Sequence, residues 1–134
     1  LKNKFYNQIK INFLVSFSFF IFCVLFLNLI IKLVYGISDD VISTVGIILS
    51  IGVIFNVLSM VFSYSMLAVN KDKEILMITL FGAFINVTLN YFSIFKFGVL
   101  GAAWVSVITQ FVVLSLFIYF FYKKMNFFES IKKC

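Results

Sequence analysis

The sequence predicts an all-α integral membrane protein with four transmembrane helices, and three features carry that prediction. Of the 134 residues, 63% are hydrophobic and 12% charged, whereas about 25% of the residues in a soluble domain are charged. Mean hydropathy is accordingly high, at +1.15. The apolar residues fall into four runs, each reaching the roughly 20 residues that an α-helix needs to cross a hydrocarbon layer about 30 Å thick. The lysines gather in the joints between the runs rather than inside them. A backbone in lipid must satisfy its own hydrogen bonds, which makes helices the reasonable spanning form. Barrel strands would be shorter and would alternate, and these runs do neither.

The first helix covers about residues 11–35, after "KNKFYNQIK". Its polar residues Ser16, Ser18, Cys23 and Asn28 are scattered among Phe, Leu and Ile, so it reads as peripheral. Lys32 follows Asn28 by one turn, near the end of the run, where its stem can carry the ammonium to water. The run is too long for the apolar core of a secretory signal, about 7–15 residues, and no small-residue cleavage site follows it. After "GISDD" the second helix covers about 41–69 and has two small-residue faces. Ser43, Gly46 and Ser50 mark one; Gly52, Asn56, Ser59 and Ser63 mark nearly the opposite side, so this helix is expected to touch different neighbours in the two leaflets.

The third helix, about 75–94, follows "NKDKE". Thr79, Gly82, Ala83, Asn86, Asn90 and Ser93 share an arc of about 100° on it, while Thr88 can bond its own preceding carbonyl. The joint "FKFG" is expected to make a short turn, with Lys96 at its tip, into the fourth helix, about 98–122. There Gly98, Gly101, Ala102, Ser106, Thr109 and Gln110 form one narrow stripe among bulky residues. A basic tail, 123–134, ends the chain.

Orientation follows from the lysines. Those before the first helix, between the second and third, and after the fourth share one side, and only Lys32 and Lys96 fall on the other, with Asp39 and Asp40. The excess of positive charge on the cytoplasmic side places both ends in the cytoplasm. The net charge of +6 is therefore read as a topology anchor at anionic headgroups, not as a nucleic-acid surface. Cys23 at membrane depth and Cys134 at the cytoplasmic end are too far apart to bridge. The chain opens on Leu1 rather than Met and reads as cut from something longer.

In lipid no hydrophobic drive brings helices together, so small residues permit close approach and amides bond across the contact. Gly82, Gly98, Gly101 and Ala102 are the candidate helix-contact residues. Asn56, Asn86, Asn90 and Gln110 carry two readings, as packing bonds between helices or as the lining of a substrate path. No charged residue lies deep in any run, so neither proton relay nor ion-pair chemistry is assigned. Histidine, paired carboxylates, a metal cluster and a phosphate-cradling loop are all missing from the sequence, so no enzyme, metal or cofactor is expected.

The segment 46–114, and above all "FINVTLNYFSIFKFGVLGAAW", resembles the flippases of O-antigen and capsule repeat units. These form the polysaccharide branch of the multidrug/oligosaccharidyl-lipid/polysaccharide transporter superfamily. In that family a helix closing on an Asn-x-x-x-Asn-like pattern leads into Ile-Pro-x-x-Gly-x-x-Gly-Ala-Ala. Asn86, Asn90, Ile94, Gly98, Gly101, Ala102 and Ala103 match those positions, and Phe95 stands where the family has proline. The resemblance covers about half the chain. It implies a two-lobe transporter in a bacterial cytoplasmic membrane, of which this chain would be the last four helices, in the C-terminal lobe. Its partners would be membrane lipids, the missing N-terminal helices of the same transporter, and an undecaprenyl-pyrophosphate-linked oligosaccharide turned from the inner to the outer leaflet. A multidrug exporter of the same superfamily and a truncated chain without activity of its own are the alternatives.

Overall fold

A computed structural model describes the main chain of residues 2–36 and 40–131, and the side chains of 5–34, 36 and 40–123. It is all-helical, with three helices long and apolar enough to cross a membrane, the pattern of a multi-pass membrane protein. They are α1, Lys2–Tyr35; α2, Asp40–Leu67; and α3, Asp72–Ile131. Asp39, Leu1 and the residues after Ile131, including Lys132, Lys133 and Cys134, lie outside the described residues.

The helices outrun the apolar runs that mark them. α1 already begins at Lys2, because its first turns carry apolar residues that pack: Phe5 stacks on Phe121 at 4.9 Å and meets Phe62 edge-on at 5.6 Å. α1 ends where Gly36, at φ 69, donates its N–H to the Lys32 carbonyl at 3.0 Å. A left-handed residue after the last turn is the usual way to satisfy a trailing carbonyl, and glycine takes that conformation without a steric cost. α2 ends in a fuller version of the same device: Lys71 N–H bonds the Met66 carbonyl at 3.1 Å and Asn70 N–H bonds the Leu67 carbonyl at 2.9 Å, with Asn70 at φ 57. This is the Schellman pattern, with asparagine at its left-handed position.

The expected turn between a third and a fourth helix is replaced by a single residue. α3 runs helically through Phe97 and resumes at Val99, and only Gly98, at φ 60 and ψ −143, departs from helical geometry. Phe95 explains the continuity, since it keeps the N–H that a proline would remove, and nothing from Ser93 to Phe97 interrupts the hydrogen-bond ladder. The arm before Gly98 folds back on the arm after it. Gly82 faces Val113, Asn86 faces Thr109, and Ser93 faces Gly101, three pairs nearly symmetric about the break.

α2 lies between α1 and α3, and its two small-residue faces are used separately. Gly46 is closed on by Leu27 of α1, and Gly52 by Val107 of α3. α1 is peripheral, with 11% of its most apolar stretch buried against 33% for α2. Met66, Phe62, Ile78, Leu114, Phe117 and Phe121 form the main core, with Phe5 and Ile9 packed against it. All three helices thus meet at one end of the bundle. Lys10, Lys71, Lys73 and Lys123 belong to that end, with the Lys123 ammonium 5.6 Å from the centre of the Tyr119 ring.

Candidate functional site

The candidate amides separate into two groups on two different faces of the second arm of α3. Thr109 and Gln110 are consecutive, hence about 100° apart around the helix, and they serve different neighbours. The single stripe read from the sequence is therefore split. Thr109, 4% exposed, faces the first arm, and Gln110 faces α2.

Between the arms a chain of side chains runs from Asn90 to Thr109. The Asn90 Nδ2 donates to Asn86 Oδ1 at 2.9 Å, and the Asn86 Nδ2 donates to Thr109 Oγ1 at 3.4 Å. Helical spacing of four makes the first bond and the antiparallel register the second. Asn90 Oδ1 is buried and has no hydrogen-bond partner among the described residues. On the third-helix arc, Gly82, Asn86, Asn90 and Ser93 lie toward the second arm, whereas Thr79 and Ala83 are exposed. Thr79 and Thr88 both turn their hydroxyls back to the preceding turn, onto the carbonyls of Ile75 and Phe84.

The second group lines a groove between α2 and the second arm of α3. The Asn56 Nδ2 donates to Gln110 Oε1 at 3.2 Å. The rest of the groove is lined by Leu49, Gly52, Val53, Ser106 and Val107, so the two amides are its polar part in a mostly apolar wall, and it opens outward with a volume of about 240 Å³. One shared bond leaves most of the amide capacity unused: Asn56 Oδ1, the second Asn56 N–H and the Gln110 NH₂ group have no partner among the described residues. None of these atoms is enclosed, and both residues line the groove. Ser106 contributes little donor capacity, since its hydroxyl bonds the Ala102 carbonyl at 3.0 Å.

The small-residue candidates also divide by role. Gly82 permits contact with Val113, and a Cβ on Gly101 would stand 2.8 Å from both Phe97 Cβ and the Ser93 carbonyl oxygen. Gly98 is a correction to its reading as a helix-contact residue, because a Cβ there would meet nothing within 4 Å. Its role is conformational. The buried contact on α2 is made by Ala103, 3% exposed and packed with Ile48 and Val107, where the sequence reading put weight on Ala102. Two adjacent alanines look alike in sequence, and only the neighbour's position separates them. Among the described residues no cluster of His, Cys, Asp or Glu offers a metal site, and Cys23 is a free, half-buried thiol. Compared with family models, curated proteins and solved structures, the chain matches none.

Proposed function

We propose that this chain is the C-terminal part of a transporter that turns undecaprenyl-pyrophosphate-linked oligosaccharide repeat units across a bacterial cytoplasmic membrane, for O-antigen or capsule synthesis. On this reading the chain crosses four times, by α1, α2 and the two arms of α3. Both ends lie in the cytoplasm, and the rest of a two-lobe transporter supplies the remaining helices and the cations for the pyrophosphate. The protein is a carrier and not an enzyme.

The observation that carries this reading is the Asn56–Gln110 groove. It sets an acceptor and several N–H donors, unpaired among the described residues, midway along α2. Lipid tails cannot satisfy them, and an uncompensated amide in an apolar medium costs about 2–7 kcal/mol. Sugar hydroxyls and the water around them can. The Asn86–Asn90–Thr109 chain is assigned the other role, holding the two arms together.

The test uses the transporter that carries this chain, in cells whose surface polysaccharide depends on it. Asn56→Leu and Gln110→Leu are expected to reach the membrane at normal level and to abolish export. Asn86→Ala is expected to lower the amount of protein. Normal export by both groove variants at normal protein level would overturn the reading.

A further inference from the structure

We propose that the tip of the α3 hairpin ends within the headgroup layer of the bilayer, resting on lipid rather than projecting as a loop, with the Lys96 ammonium bonded to phospholipid phosphate. A loop in water is ordinarily polar, and this reversal is not. Its side chains are apolar and open: Phe92 is 62% exposed, Phe95 78%, Phe97 69% and Val99 66%. Tyr91 lies about one turn further from the reversal, its ring 5.2 Å from Phe95 and nearly perpendicular to it. Because the turn consumes only Gly98, no polar segment exists that could lift these rings into water. Phenylalanine has no polar atom to hydrate, so rings left open at the end of a membrane helix rest on lipid rather than in water.

Depth points to the same place. α1 and α2 touch at Leu27 and Gly46, and Ile48 close by meets Ala103. From that layer Lys32 and Gly98 are each about 7.5 Å further along their helices, and Asp40 about 9 Å. Lys32, Asp40 and Gly98 therefore stand at about one level, with Lys96 beside it. From Lys73 to Lys96 the rise is about 35 Å, slightly more than the hydrocarbon thickness of about 30 Å, so the tip just clears the acyl chains.

Lys96 supplies the polar contact. It is exposed, lies between two exposed phenylalanines, and has no carboxylate partner among the described residues. A lysine on a flexible stem brings three N–H donors to a phosphate oxygen while its methylenes stay on apolar surface.

Trp104, the single tryptophan of the chain, lies about 9 Å past Gly98 and is 51% exposed, so fluorescence reads the depth directly. The full chain is placed in phosphatidylcholine vesicles whose acyl chains carry bromine near the headgroup, at mid-chain or at the methyl end. A second protein, Phe95→Trp with Trp104→Phe, moves the reporter to the tip. The tip indole is expected to be quenched most by bromine near the headgroup and hardly at all by aqueous iodide. Adding Lys96→Leu is expected to shift its quenching toward deeper bromine, with helical content unchanged by circular dichroism. Strong iodide quenching with no response to any brominated lipid would overturn the placement. An unchanged depth profile in Lys96→Leu would overturn the phosphate contact.

Discussion

The Asn90 side chain donates to Asn86 Oδ1 at 2.9 Å while its own Oδ1 is buried without a partner among the described residues. The two asparagines are therefore unequal. Asn86 joins the arms of α3, and Asn90 supports Asn86 while holding an unmet acceptor. Asn86→Ala is expected to destabilise the protein by about 1–2 kcal/mol, the range for a polar contact between membrane helices. Asn90→Leu removes an unpaired oxygen together with one bond and is expected to be near neutral. Reversible unfolding in mixed micelles compares the two, and equal losses would contradict the asymmetry.

Gly82 and Val113 give a second, sharper test. A methyl group on Gly82 would overlap a γ-methyl of Val113, whose branched side chain has little freedom to turn away. Gly82→Ala is expected to cost about 1–3 kcal/mol, and Val113→Ala to restore most of that loss. Thermal unfolding of the single and double variants measures the coupling.

Gly101 is expected to behave differently under the same treatment. Its added Cβ would overlap the Ser93 hydroxyl, which can turn away, and would also stand 2.8 Å from the Ser93 carbonyl oxygen, a backbone atom that cannot. Gly101→Ala is thus expected to destabilise by a similar amount, and Ser93→Ala not to rescue it. Rescue would mean that the arms separate more easily than their contacts indicate.

Gly98→Ala isolates backbone cost. The added methyl meets nothing, yet φ 60 with ψ −143 is a conformation that residues with a Cβ avoid. The expected loss is about 1–3 kcal/mol. Asn70 makes the milder comparison: Asn70→Gly is expected to be neutral or slightly stabilising, and Asn70→Ala to cost about 1 kcal/mol, as a left-handed residue without asparagine's local bonding. A scan of unfolding midpoints across these variants ranks them.

Much of this arrangement is legible in the sequence, and the misreadings have physical causes. The opposed faces of α2 follow from the spacing of Gly46 and Gly52, because helical periodicity fixes direction without knowledge of the neighbour. The Gly82–Asn86–Asn90 line follows for the same reason. Thr109 and Gln110 read as one stripe because a narrow polar arc in sequence does not say how many helices share it. "FKFG" reads as a turn because lysine and glycine usually mark one, yet neither Lys96 nor Phe97 prevents a helix, and only the dihedral angles of Gly98 end it. Asn70 carried no visible signal within "NKDKE", where a helix-ending left-handed asparagine and an ordinary polar joint look the same.

The one-residue reversal at Gly98 makes the hairpin a matter of counting. Gly82 and Val113, Asn86 and Thr109, and Ser93 and Gly101 each stand almost equally far from the break along the chain. No slack loop exists to absorb an error, so one inserted or deleted residue in either arm would turn everything beyond it by about 100°. Evolution can exchange side chains along the arms freely where they face lipid, but it can change the arms' lengths only by whole turns or by compensating for them on the other side of Gly98.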